Sequence, residues 1–272
     1  MTVQEIEVLA VDLDGTALGS SGSMSQRTCS AVDEAASRGL RIWFVSARPM
    51  WSIRALTSKV RSPDLAIGAA GAVVVDRRDR LLSRRPLPAA AVQGILDTTE
   101  AHDGAALAYR GDRVAVTGAH PQLEVELQLT ARHPPEPDDG SPADKVLVFT
   151  AEGSALEQAL SRSGAHQLAR SSSILLEVTA RGVDKGSALA AAAASEGLGR
   201  SAIAAVGDSA NDLPMLRWVG RPIAVANAVP AVLDVAAEHV PTNDEDGVAA
   251  WIDSWIGERS AGSHSGQPRR PS

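Results

Sequence analysis

The chain has 272 residues, a formal net charge of −7, 44% hydrophobic and 22% charged residues, a composition ordinary for a soluble globular protein with room for one large domain or two modest ones. The acidic balance argues against a nucleic-acid partner, which would favour a basic face. A single cysteine, Cys29, excludes an intrachain disulfide, and no apolar run reaches the roughly 18–20 residues of a membrane span.

Along the chain, the N-terminal MTVQEIEVLAVD carries Glu5 and Glu7 but no Lys or Arg, so it does not read as a signal peptide, and the expected location is the cytoplasm. Ile6 to Val11 is a short apolar run that predicts a buried strand ending at Asp12. A Gly- and Ser-rich loop follows. Ser25 then caps a predicted helix with Val32, Ala35 and Ala36 on its apolar side, and Gly39 suits its stop. Leu40 to Val45 predicts the next strand, ending at Ser46, and a helix is expected from about Pro49 to Val60. A third strand over Leu65 to Gly68 leads through the small-residue turn Ala69 to Ala72 into a hairpin begun by Val73 to Val75. Strand and helix alternate, which favours a parallel α/β sheet.

From about Ser83 to Gly182 the pattern changes. Short β-like runs at Ala106 to Tyr109, Val114 to Thr117, Lys145 to Phe149 and Ile174 to Val178 are separated by helical stretches such as Ser154 to Arg162, and the Pro- and Asp-rich His133 to Ala143 reads as a surface loop. Alternation resumes with a helix over Ser187 to Glu196 and a strand over Ile203 to Val206 that leads into Gly207 and Asp208. A helix at Leu213 to Trp218, a strand at Ile223 to Ala226, a helix at Pro230 to Ala237 and a short strand at His239 and Val240 follow. Val248, Trp251, Ile252, Trp255 and Ile256 then share one helical face, which reads as core packing. The organisation predicted is a core from residues 1–82 and 183–258, an inserted α/β domain at 83–182, and a disordered tail at 259–272.

The candidate chemistry lies at the strand ends. Asp12, Ser46 and Asp208 each follow an apolar strand, and Asp14 is two residues past Asp12. In a parallel sheet these ends meet in one crevice. Carboxylates gathered there repel unless a cation neutralises them, and Mg²⁺ is the hard, oxygen-seeking choice. Asp12 is placed to attack phosphorus and form an aspartyl-phosphate, with Asp14 as the acid and base. Gly15 lets the backbone turn so that amides face a phosphate, Ser46 offers a hydroxyl to it, and Lys185 offsets the negative charge. Phosphate monoesters require removal of on the order of 20 kcal/mol of barrier or more, so metal, lysine and covalent attack must combine.

These residues stand in motifs: VDLDGT (Val11 to Thr16), VSAR (Val45 to Arg48), GVDKGSAL (Gly182 to Leu189) and VGDSANDLPML (Val206 to Leu216), followed by Asn227-Ala228 and NDEDGVA (Asn243 to Ala249). In order and spacing the sequence resembles the haloacid dehalogenase-like (HAD) phosphatases, specifically the Cof-type branch with a large α/β cap, from Ile6 to about Trp255. The resemblance implies a doubly wound, Rossmann-like parallel-sheet core with an inserted α/β cap. It implies that Asp12 is nucleophile and metal ligand, that Asp14 is acid/base and binds Mg²⁺ through its carbonyl, and that Asp208 binds Mg²⁺. Ser46 and Lys185 would hold phosphate, and Asn211 and Asp212 would orient the phosphate, the lysine or a metal-bound water. Gly15, Thr16 and Asp212 count as supporting residues.

Two departures from the family pattern stand out. Ser46-Ala47-Arg48 replaces the usual Thr-Gly-Arg and keeps the hydroxyl, while Ala70-Gly71-Ala72 replaces Asn-Gly-Ala and loses an amide. Arg48 reads as structural, and His102, His120, His133, His166 and His239 lack metal-ligand spacing. The expected substrate is a small soluble phosphoester such as a sugar phosphate, with no nucleic-acid or membrane partner. A phosphomutase of the same fold and a non-catalytic phosphate-sensing module are the rivals. The set Asp12, Asp14, Lys185 and Asp208 argues against the second.

Overall fold

The computed structural model describes residues 5–61 and 63–264. The chain opens with β1 (Val8–Val11), α1 (Gln26–Ser37), β2 (Arg41–Val45), α2 (Met50–Thr57), β3 (Leu65–Gly68), β4 (Val73–Asp76) and β5 (Leu81–Arg84). Its middle holds α3 (Ala89–Glu100), β6 (Ala105–Arg110), β7 (Arg113–Thr117), α4 (Leu123–Thr130), β8 (Lys145–Phe149), α5 (Ala155–Ser163), β9 (His166–Arg170) and β10 (Leu175–Ala180). The last part holds α6 (Lys185–Ser195), β11 (Ile203–Gly207), α7 (Leu213–Trp218), β12 (Arg221–Val225), α8 (Pro230–Leu233), β13 (Glu238–Val240) and α9 (Gly247–His264).

The first and last parts build one eight-stranded sheet in the order β13-β12-β11-β1-β2-β3-β4-β5. Strands β13 through β3 pair in parallel, and β4 and β5 close one side as antiparallel strands. Parallel strands are covered on both faces, which is why β1 and β11 read as unbroken apolar runs and are buried throughout. The chain winds from β1 to β2 and β3 on one side, and from β11 to β12 and β13 on the other. The order therefore reverses between β1 and β11, where Val11 lies opposite Val206. Whatever follows these two strands meets at the mouth of that switch point. Asp12 and Asp208 are the residues that follow.

The covering helices are specified locally. Ser25 begins α1, its hydroxyl accepting the Thr28 N–H at 3.0 Å. Val32 and Ala35 of α1 share the core with Trp251, Ile252 and Trp255 of α9, each fully or almost fully buried. Burial of such large apolar side chains is worth about 1.5–3 kcal/mol each. With few aromatics in the chain, Trp43 and Phe44 of β2 are among the largest fully buried side chains.

The middle of the chain folds as an antiparallel sheet in the order β7-β6-β8-β10-β9. The two-residue period of its strands sends side chains to two different cores. Ala106, Val146 and Val178 face Val92 and Ile95 of α3 and Leu156 and Leu160 of α5. Leu107, Tyr109 and Leu147 face the other way, against Leu123 and Leu127 of α4. Lys145 pairs across the ladder with Tyr109, and Glu177 with Leu147, so both charges lie on this second face. The architecture is a doubly wound core with an inserted α/β cap.

Several boundaries differ from the sequence reading. β5 extends the large sheet to Arg84; all four of its residues are exposed, so its two adjacent leucines show none of the alternation that marks a half-buried strand. β9 is likewise half-exposed along its length. The helix expected over Pro230 to Ala237 stops at Leu233. At the C-terminal end α9 continues to His264, past the expected end at Glu258. Arg259 sits over the Trp255 ring at 5.0 Å and Glu258 pairs with Arg221 at 3.4 Å, contacts that carry the helix onward. Residues 265–272 of the expected disordered tail lie outside the described residues. Among the described residues no helix is long and apolar enough to cross a membrane.

Candidate active site

Lys185 is the first residue of α6, just after Asp184, whose carboxylate accepts the Ser187 N–H at 2.7 Å and caps the helix. A lysine there opposes the positive end of the helix dipole, so its place is set by what it meets. Its ammonium donates to Asp12 Oδ1 at 2.7 Å, Asp212 Oδ1 at 2.6 Å and Asn211 Oδ1 at 3.0 Å. These four residues are buried. Burial alone would lower the lysine's pKa, but Asp12 and Asp212 outweigh it and hold Lys185 firmly as an ammonium.

Asp212 is a positioning residue. While one oxygen takes Lys185, the other accepts the backbone N–H groups of Asp208 and Ser209, both at 3.1 Å. It thereby fixes the loop after β11 and turns Asp208 toward β1. Thr16, on the loop after β1, donates to Asp208 Oδ1 at 3.2 Å. Asn211 Oδ1 accepts from both Lys185 and Ser209 Oγ.

Carboxylate oxygens of Asp12, Asp208 and Asp212 lie within 4.8 Å of one another. Burial pushes the Asp12 carboxyl well above the carboxylate range, Asp212 pushes it further, Lys185 draws it back, and Asp208 and Asp14 add repulsion. The same causes, burial first and then Asp212, push Asp208 up to about 7. Three clustered carboxylates share one buried ammonium, so the site is short of positive charge, and a divalent cation would balance it. An all-oxygen donor set suits a hard ion such as Mg²⁺. With Lys185 occupying one oxygen of Asp212 and two amides the other, Asp12 and Asp208 are the carboxylates left to hold such an ion.

Asp14 is half-exposed and held by Arg48, whose Nε and Nη2 grip both carboxylate oxygens at 2.7 to 3.1 Å. Arg48 Nη1 also donates to the Leu129 carbonyl at 3.0 Å and to Ser52 Oγ at 3.1 Å. Trp51 Nε1 donates to the Thr130 carbonyl at 3.2 Å. The last carbonyls of a helix have no partner within it. In α4, in the cap, those of Leu129 and Thr130 are satisfied by core side chains. Arg48 therefore ties Asp14 to the cap, a part the sequence reading did not assign it. That part depends on residues 34 and 81 positions away, and nothing local signals it.

A cavity of about 240 Å³ lies between core and cap. Asp12, Asp14, Arg48, Lys185, Asp208 and Asn211 line its core side. Glu126, Lys145, Ser171 and Glu177 line the cap side, and the sequence reading singled out none of them. A lone Lys and a lone Glu in otherwise apolar cap strands were the available signal.

Ser46 follows β2 and is fully buried, and its hydroxyl accepts the Arg48 N–H at 3.1 Å. It stands behind Ala47 and Arg48, which reach the cavity. Two glycines keep the loops in place. Gly15 has φ +75°, and a Cβ there would overlap the Asp208 carboxylate. Its carbonyl accepts from Asn227 Nδ2 at 2.8 Å, and Asn243 N–H in turn donates to Asn227 Oδ1 at 2.9 Å, which gives the two late motifs a physical task. Gly71 has φ +107° and lies against the Asp184 carbonyl, where a Cβ would collide and shift the start of α6. Its neighbour Ala70 is buried at φ +55°. An L-residue in that region costs about 1–2 kcal/mol, less for asparagine, so the departure at Ala70 bears on loop strain; Ala70 does not line the cavity.

A family model for haloacid dehalogenase-like hydrolases matches residues 9–252. The chain belongs to this family. Among its curated HAD relatives, the 5-amino-6-(5-phospho-D-ribitylamino)uracil phosphatase YcsE of Bacillus subtilis (strain 168) is 27% identical over 258 residues, covering 93% of this chain and 96% of the relative. YwtE of the same organism, which bears the same enzyme name, is 27% identical over 283 residues, covering 92% and 98%. Among solved HAD structures, BT1666 from Bacteroides thetaiotaomicron superposes with a TM-score of 0.82 at 24% identity, over 93% of this chain and 96% of that one. The shared HAD fold includes the cap as well as the core.

Proposed function

We propose that this HAD hydrolase is a magnesium-dependent phosphatase that removes phosphate from a small phosphorylated metabolite through a phosphoaspartate on Asp12. One observation carries the reading: the buried Lys185 ammonium lies 2.7 Å from Asp12 Oδ1, in a cavity that also receives Asp14 and Asp208. The free oxygen of Asp12 attacks phosphorus while the bond from phosphorus to the leaving oxygen breaks. Asp14 gives its proton to that oxygen, then takes one from water. The resulting hydroxide attacks the phosphoaspartate, its bond to Asp12 breaks, and inorganic phosphate departs.

Lys185 offsets the charge that Asp12 and the phosphoryl oxygens share. With its Oδ1 engaged, Asn211 has its amide N–H groups to offer phosphate, and Ser46 supports the loop after β2 that carries Arg48. Arg48 aims Asp14 and must release an oxygen when Asp14 acts as an acid; its freed donors then face the same cavity. Asp12, the Asp14 main-chain carbonyl and Asp208 would hold Mg²⁺, which neutralises charge on the phosphoryl oxygens. The names of the two Bacillus relatives support a phosphomonoester with a polyol arm.

The test is phosphate release from a panel of sugar and alditol phosphates, with Mg²⁺ and after chelation. Turnover is expected with Mg²⁺, absent after chelation and restored on adding Mg²⁺ back. Mg²⁺ is also expected to raise the melting temperature of the resting protein, since it relieves repulsion among Asp12, Asp208 and Asp212. No release from any panel member with Mg²⁺ present would overturn the reading.

A further inference from the structure

The cap wall of the cavity is charged, and its charges are built in. Lys145 and Glu177 are 1% and 4% exposed. Lys145 Nζ donates to Glu177 Oε2 at 2.7 Å, and Ser171 Oγ donates to Glu177 Oε1 at 3.3 Å. The ammonium also lies 4.9 Å from the centre of the Tyr109 ring, whose hydroxyl is bonded to Thr130 at 2.6 Å. Among the described residues Glu177 is the only hydrogen-bond acceptor of Lys145, and an ammonium has three donors to place. Buried polar groups are rarely left so underused without a partner. Donor and acceptor capacity therefore stand side by side at the cavity wall.

Glu126 adds a second carboxylate on the same side. Burial pushes its carboxyl upward, Lys145 draws it back, Glu177 pushes it up again, and Arg48 draws it back. Glu177 offsets Lys145, and among the described residues Glu126 has no cation of its own on the cap side, so the cap wall keeps a net negative charge.

We infer that the Lys145–Glu177 pair, with Glu126 beside it, selects phosphomonoesters whose leaving group is an uncharged polyhydroxy chain and rejects those carrying a second anion. Each hydroxyl of such a chain both donates and accepts, so neighbouring hydroxyls match an adjacent ammonium and carboxylate. A carboxylate in the leaving group accepts only and meets a wall already holding excess negative charge. The inference rests on the phosphatase reading above.

An alditol phosphate and the aldonate phosphate that differs from it at one carbon test it: glucitol 6-phosphate ends in a hydroxymethyl group, gluconate 6-phosphate in a carboxylate. Wild-type kcat/KM is expected to favour the glucitol ester by about tenfold or more. Glu126→Gln and Glu177→Gln, each removing one negative charge from the wall, are expected to compress that ratio about fivefold or more. Partial unfolding scales both rates alike, so the ratio stays readable, and either variant suffices if the other fails to fold. Phenyl phosphate, with no hydroxyl to place, serves as reference. Hydrolysis of phenyl phosphate with equal rates on the glucitol and gluconate esters, or with a ratio that both variants leave intact, overturns this inference alone. No hydrolysis of any of the three overturns the phosphatase reading itself.

Discussion

Asp12→Asn is expected to fold and to lose turnover by about 10⁴-fold or more. An amide of the same shape has no oxygen nucleophilic enough to attack phosphorus, so the loss falls on kcat. Lys185 keeps Asp212 and Asn211 at 2.6 and 3.0 Å, which preserves its place. Burial and its acidic neighbours also push the Asp12 carboxyl toward protonation, so removing its charge relieves repulsion. The melting temperature should therefore stay level or rise. Phosphate release and a thermal melt on one preparation check both halves; a variant keeping about a tenth or more of wild-type turnover would contradict the assignment of the nucleophile.

Lys185→Met is expected to fail on both counts. Among the described residues it removes the only ammonium within hydrogen-bond reach of Asp12 and Asp212, and it does so where water cannot take over. Breaking a buried pair from one side leaves uncompensated charge and costs about 3–5 kcal/mol, which in a chain of this size lowers the melting temperature by about 10 °C. Activity should drop about 10³-fold as well, because the lysine steadies charge where it gathers on nucleophile and phosphoryl oxygens. Mg²⁺ should recover part of the lost melting temperature and little of the activity. A Lys185→Met protein that melts like wild type without Mg²⁺ would mean that the carboxylates do not depend on this lysine.

What could be read from the sequence followed from burial. Parallel strands covered on both faces are unbroken apolar runs, so the residue that ends each run, Asp12, Ser46 or Asp208, falls at the carboxyl edge of the sheet. The helix expected over Ser187 to Glu196 was legible to within two residues, and α6 begins at Lys185 behind the capping Asp184. Contacts between distant parts were not legible. Arg48 carries the same sequence signal whether it packs locally or spans from Asp14 to the end of α4. Lys145 and Glu177 become a pair only once β8 and β10 lie side by side, and the register of that antiparallel ladder is a tertiary fact. Exposed elements also escaped, because β5 shows water all four of its residues and lacks the two-residue alternation that marks a half-buried strand.

The central claim is that Asp12 carries the phosphoryl group during turnover. A turnover mixture quenched in acid, digested and mapped by mass spectrometry tests it directly. The account predicts a phosphoryl adduct on the Asp12 side chain that forms with Mg²⁺ and substrate and is absent from Asp12→Asn. Phosphate release with the adduct on another residue, or with Asp12 never modified at any quench time, would contradict it.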